Sequence, residues 1–218
     1  METVILIHAA VVNHRTLSIL GRRLGKLGFE VRNLPYPNRR LDVEGCAEFL
    51  LADFQKIAEG APRVHLVGHS MGGLVARRLL YLHQPENFGR LVTLGTPHQG
   101  SPLADMLHKW PFYQKLFGPA GQELRTIPPI DQLAPWPPPY EIGLIAGSIP
   151  IGPGTLFMTW ASDGTVAHIS SQPPGGTGYA KVPATHTTIP FLKKTARLIA
   201  RFLKTGRFEP DRNQNSQP

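Results

Sequence analysis

The stretch Arg63-Val-His-Leu-Val-Gly-His-Ser-Met-Gly-Gly-Leu-Val-Ala-Arg-Arg-Leu-Leu80 decides the fold. Val64–Val67 reads as a strand. Gly68 ends it abruptly, and the residues from Met71 to roughly Tyr81 have the composition of a helix. Ser70 thus lies at a strand–turn–helix junction, inside Gly68-x-Ser70-x-Gly72. Five residues of pattern are weak on their own; the strand before and the helix after make it specific. The chain must reverse so sharply that Ser70 takes a strained backbone conformation, and small Gly68 and Gly72 admit the close approach of strand and helix. The helix N-terminus then aims its free N–H groups and positive dipole end at the serine hydroxyl.

Working outward, strands and helices alternate almost from the first residue. Thr3–Ile7 reads as a strand. Leu17, Leu20, Leu24 and Leu27 recur at helical spacing, with Gly28 as a stop signal. Phe29–Leu34 is a second strand, closed by Pro35 and Pro37. Asp42 suits the N-cap of a helix that carries Val43, Cys46, Leu50, Phe54 and Ile57 on one face. Leu91–Leu94, Ile142–Ala146 and Tyr179–Val182 complete six strands, and an amphipathic helix runs from about Pro190 to Lys204. This alternation predicts an α/β fold with a mostly parallel six-stranded sheet in one domain over residues 1–205. The polar residues 206–218 are expected to form a disordered tail. Functional loops then fall at the carboxyl ends of the strands. Those ends are His8-Ala9-Ala10, Pro37-Asn38, Ser70, Thr96-Pro97-His98, Gly147-Ser148 and the loop holding His186.

Residues 101–140 break the rhythm. They hold no obvious strand, and six prolines fall within 127–139. Trp110, Phe112, Tyr113, Leu116, Phe117 and Trp136 make the segment rich in large apolar side chains. Two readings stand and can hold together: short helices patching the top of the sheet, or a small lid above Ser70. On the second reading Trp110, Phe112, Leu116 and Phe117 line a substrate pocket, with His98 beside them.

A serine hydroxyl needs a base, and a base needs an orienting acid. His186, after the last strand and directly before the final helix, is the expected base; His98 and His168 are its rivals. The acid is sought among Asp105, Asp131, Asp163, Glu123 and Glu141. Asp163 in Ser162-Asp-Gly-Thr-Val166 is preferred, although Asp-Gly is also a plain turn signal; Asp105 is the fallback. The amides of Met71, after the serine, and of Ala10, in the loop after the first strand, are the expected oxyanion donors.

The bulk numbers narrow the rest. The net charge of +8 comes from basic pairs such as Arg22-Arg23 and Lys193-Lys194, without interleaved aromatics. That predicts a solvated surface with, at most, weak contact with an anionic membrane, and no nucleic acid. One cysteine, Cys46, excludes an internal disulfide and a cysteine-rich metal site. No apolar run approaches the ~18–20 residues of a membrane span, and Val4–Ile7 is too short for a secretory core. A cytoplasmic address is therefore expected. Composition does not bear on oligomeric state.

Four segments followed by His186 carry a resemblance: Val4-Ile-Leu-Ile-His-Ala-Ala10, Gly68-His-Ser-Met-Gly-Gly73, Leu94-Gly-Thr-Pro-His-Gln-Gly-Ser-Pro102 and Ser162-Asp-Gly-Thr-Val166. The chain resembles the α/β-hydrolase superfamily, in particular compact bacterial lipases and esterases. It starts at what would be that family's third strand, so the resemblance implies a reduced sheet. It also implies a Ser70–Asp163–His186 triad, an acyl-enzyme, and a small-molecule or lipid ester as substrate, without metal or cofactor. Ala9 stands where such lipases usually carry glycine. Thioesterase, lactonase and acyltransferase activities would use the same triad, and a non-catalytic scaffold is the reading from outside enzymology.

Overall fold

A computed structural model describes residues 1–127, 140–155, 161–173 and 175–209. Among the described residues, six strands and six α-helices follow one another: β1 (Thr3–Ile7), α1 (Ser18–Lys26), β2 (Glu30–Asn33), α2 (Val43–Gly60), β3 (Val64–His69), α3 (Met71–Leu82), β4 (Phe88–Leu94), α4 (Pro102–Leu107), α5 (Pro111–Glu123), β5 (Glu141–Gly147), β6 (Gly178–Val182) and α6 (Lys193–Thr205). Asp42 caps α2, accepting a hydrogen bond from the Gly45 amide at 2.8 Å. β3 runs past Val67 because pairing with β4 continues through Gly68–Thr93 and His69–Leu94. Pro190 falls in a 3₁₀ turn, Ile189–Phe191, so α6 starts later than its apolar stripe suggests.

The sheet order is β2-β1-β3-β4-β5-β6, and every neighbouring pair is parallel. A parallel sheet needs both faces covered, and the side chains of β1 divide accordingly. Val4 and Leu6 pack with Leu20, Leu24, Ile199 and Phe202 of α1 and α6. Ile5 and Ile7 pack with Leu50, Phe54, Leu74 and Leu79 of α2 and α3. Cys46 lies in that second layer, where burial pushes its thiol up to about 12; it is a structural hydrophobe.

One expectation needs adjusting. The tail does not begin at Gly206: Phe208 is buried against Phe202, ring centroids 4.7 Å apart. Gly206 ends α6 in the left-handed conformation, which turns the chain back toward the sheet. Residues 210–218 lie outside the described residues. In the 101–140 segment, α4 and α5 are the two short helices; Trp136 and all but the first residue of the proline-rich stretch 127–139 lie outside the described residues.

Candidate active site

The turn between β3 and α3 holds Ser70 at φ 53° and ψ −126°, a positive-φ conformation that a non-glycine residue takes only under constraint. The constraint is visible. The Ser70 amide donates to the Leu94 carbonyl at 2.8 Å, and Thr96 Oγ1 donates to the Ser70 carbonyl at 2.8 Å. A Cβ on Gly68 would stand 2.5 Å from the Gly73 amide nitrogen, and one on Gly72 would stand 2.3 Å from the Ile7 carbonyl oxygen. Both glycines are required because backbone occupies the space a side chain would need.

His186 Nε2 is 3.0 Å from Ser70 Oγ, and His186 Nδ1 is 2.8 Å from Asp163 Oδ2. Asp163 is 1% exposed. Its two oxygens divide the work. Oδ1 accepts the amides of Thr165 at 3.0 Å and Val166 at 2.8 Å, closing the Asp-Gly turn. Oδ2 is thereby left to face the imidazole. Burial alone would raise this carboxyl, but the hydrogen bond and charge of His186 and the two amides outweigh it and hold it below its ordinary value. The His186 amide also donates to the Asp163 carbonyl at 2.8 Å, so the two residues are linked twice. His69, driven to about 3 by burial and by His186 beside it, is neutral; its Nε2–H donates to the His186 carbonyl at 3.1 Å.

The Met71 amide is the first of α3, a donor that no preceding turn of helix can satisfy. Ala10, in the loop after β1, lines the same cavity as Ser70. Strain in that loop sits at Val11, φ 68°, and not at Ala9, where the glycine of similar lipases would be. A cavity of about 400 Å³ opens between Ser70, His186 and this loop. Leu103, Ala104, Tyr113, Leu116, Phe117 and Leu124 form one wall; Val11, Val12, Val166, Pro190 and Phe191 form the others. No Asp, Glu, Lys or Arg is among the described lining residues.

Leu116 and Phe117 are thus in the pocket, whereas three other expected lining residues are not. Trp110 and Phe112 are 62% and 74% exposed and face away from it. On α5, before the chain kinks at Gly118, the inward stripe is Tyr113, Leu116 and Phe117, a helical spacing that leaves Phe112 on the outer side. His98 is buried within the fold: Arg77 Nη1 donates to its Nδ1 at 3.1 Å, so its Nε2–H faces Thr93 Oγ1 at 2.9 Å. It cannot serve as base. His168 Nε2 is bound to the Gly147 carbonyl at 2.7 Å. The rival acids are occupied as well. Asp105 holds the Thr126 amide and hydroxyl, Glu123 accepts the Val43 amide, and Glu141 pairs with Arg90. Asp131 lies outside the described residues.

The PGAP1-like alpha/beta domain family matches residues 41–120, from just before α2 into α5. A lipase of Bacillus licheniformis, BlEst2 in its mature form, superposes at TM-score 0.75 over 93% of this chain and 90% of that one, with 21% identity. The chain has the α/β-hydrolase fold. Another likeness is to a metagenomic carboxyl esterase, MGS0156, at TM-score 0.73 over 94% of this chain and 76% of that one, with 15% identity. A triacylglycerol lipase of Pseudarthrobacter phenanthrenivorans is 42% identical over 65 residues, 29% of this chain and 20% of the lipase. The chain therefore spans about a fifth of the length of that curated relative. Among its described residues no helix is long and apolar enough to cross a membrane, and no cluster of His, Cys, Asp and Glu has the make-up of a metal site.

Proposed function

We propose that the chain is a serine carboxylic-ester hydrolase acting through an acyl-Ser70 intermediate on short-to-medium acyl esters. The observation that carries this is the chain of hydrogen bonds from Ser70 Oγ through His186 to Asp163, at 3.0 and 2.8 Å. His186 Nε2 takes the hydroxyl proton as Oγ attacks the ester carbonyl. The Met71 and Ala10 amides receive the tetrahedral oxyanion, each such donor being worth ~3–4 kcal/mol. His186 returns its proton to the departing alcohol, and water activated by the same ring releases the acid. Asp163 keeps the proton of the resting imidazole on Nδ1 and stabilises the imidazolium formed on the way. The uncharged, largely apolar lining of the 400 Å³ cavity suits a neutral acyl chain. A lipase/esterase reading agrees with the fold and with the lipase and esterase relatives.

A fluorophosphonate probe and Ser70→Ala test the assignment together. The wild type should label at Ser70 and turn over p-nitrophenyl esters; the variant should do neither while remaining folded. Retained turnover in the variant would sink the proposal, and labelling elsewhere would move the nucleophile. A chain-length series run beside a thioester and a lactone separates ester hydrolysis from activities that share the triad.

A further inference from the structure

We propose that Asn38 is a positioning residue that aims the Ala10 amide into the oxyanion site, an inference that rests on Ser70 being the nucleophile. The loop after β1 has an unfavourable shape. Val12 donates its amide to the Ala10 carbonyl at 2.8 Å, a three-residue turn centred on Val11 at φ 68°. Positive φ is uncommon for any side chain and an outlier for a β-branched one, so the turn is strained. The turn persists only if something outside it fixes both ends.

Asn38 does that. It lies in the loop after β2, 6% exposed, and its Nδ2 is 2.8 Å from the Ala9 carbonyl and 2.8 Å from the Val12 carbonyl. Both partners are acceptors, so the carboxamide nitrogen must face them, and its two hydrogens match the two oxygens. The residues it ties, Ala9 and Val12, flank Ala10 and Val11. Asn38 is itself held: its amide donates to the Tyr36 carbonyl at 2.9 Å, Tyr36 Oη donates to the His8 carbonyl, and the Tyr36 and His8 rings stack at 4.2 Å.

Peptide planarity links this clamp to the site. The Ala9 carbonyl and the Ala10 N–H belong to one trans peptide unit and point in opposite directions across its plane. Holding the Ala9 oxygen toward Asn38 therefore turns the Ala10 N–H the other way. Ala10 lines the cavity with Ser70, and Asn38 does not. His8 Nδ1 also lies 3.0 Å from the Ala9 carbonyl, but it does not reach Val12; with the carboxamide removed, the far end of the turn is untied, the Ala9 oxygen keeps one donor of two, and the Ala10 amide is aimed less firmly.

Asn38→Ala tests this, with Asn38→Ser retaining a single donor as a graded second variant. Rates are taken per active site, after titration with a fluorophosphonate, on a p-nitrophenyl ester. A lost oxyanion donor costs about 10²–10³ in kcat, so Asn38→Ala should lose on the order of 10² in kcat with KM within about threefold. Affinity for a boronic acid that forms a tetrahedral adduct should fall by a similar factor, and Asn38→Ser should lie between. If Asn38→Ala does not fold, the Asn38→Ser split between kcat and KM decides. Wild-type kcat and boronate affinity in the variants, with the wild type labelled at Ser70, would overturn the positioning role alone. A loss confined to the number of titratable sites, with normal turnover at each, would overturn it equally. Failure of the wild type to label at Ser70 would instead remove the proposed nucleophile.

Discussion

Asp163→Asn is the substitution whose outcome the geometry constrains most tightly. The side chain keeps its shape, so the question is which end of the carboxamide faces His186. The Thr165 and Val166 amides both donate to Oδ1, and an asparagine can accept them only with its oxygen. Its NH₂ must then take the Oδ2 position, 2.8 Å from His186 Nδ1. A donor there requires a bare Nδ1, which moves the ring proton to Nε2, where the base must be empty. The lost charge adds to this. At an effective dielectric near 20, a carboxylate and an imidazolium with centres about 4 Å apart attract by about 4 kcal/mol, roughly three powers of ten in rate. Loss of the charge and the wrong tautomer together should lower kcat/KM for p-nitrophenyl butyrate by about 10³–10⁴. Asp163 sits below its ordinary value, so it is charged throughout an assay from pH 6 to 9 and the deficit should persist across that range. Thermal unfolding should move little, because both turn hydrogen bonds survive. Asp163→Ala removes the same charge without imposing a tautomer, so the asparagine variant should be no faster than the alanine variant. An asparagine variant within tenfold of wild type, or clearly faster than alanine, would refute the tautomer argument.

Four further outcomes are expected. Gly72→Ala should lose more than about 3 kcal/mol in urea unfolding or fail to fold, because its Cβ would meet backbone at 2.3 Å; Gly25→Ala in α1, with nothing within 4 Å, should be neutral or gain up to about 1 kcal/mol. Val11→Gly should remain within about 1 kcal/mol of wild type, since relief of ~1–3 kcal/mol of backbone strain offsets lost packing and added chain entropy; a loss above about 2 kcal/mol would argue against strain at that position. His8 and His69 are pushed by burial to about 4 and about 3. Their contribution is thus complete above the unfolded value near 6.5 and lost as pH falls toward 4 and 3, at about 1.4 kcal/mol per pH unit each. His69→Gln should reduce the slope of unfolding free energy between pH 6 and 4.5 by one such increment, and an unchanged slope would contradict the assignment. Finally, exposed Lys193, Lys194 and Arg197 on α6 should draw the protein onto vesicles containing anionic lipid, weakly and with loss in salt. Equal sedimentation with zwitterionic vesicles, or none with either, would remove that role.

What could be read from the sequence alone divides along a physical line. The Ser70 elbow depends on residues next to one another, and a strand, a glycine turn and a helix each leave a local mark. Asp163 is legible for the same reason, because the turn chemistry that makes Asp-Gly a turn also consumes Oδ1 and leaves Oδ2 for a partner. His186 follows from chain order. In α5, size alone does not choose a face: Phe112 and Phe117 are both large and apolar, and only the spacing from Tyr113 through Phe117 separates the inner from the outer one. For His98 the deciding neighbour is Arg77, on another element and marked by nothing in the residues around the histidine. The oxyanion loop carries this furthest. Ala9 in place of glycine suggests that the loop has lost the residue able to adopt an unusual conformation. The structure moves that conformation two residues on, to Val11, and meets its cost with hydrogen bonds from Asn38, 29 and 26 positions away from the two carbonyls it holds. A left-handed valine is improbable in isolation and acceptable once its flanking carbonyls are tied. The missing glycine therefore says little about this loop until the residue that ties it has been found.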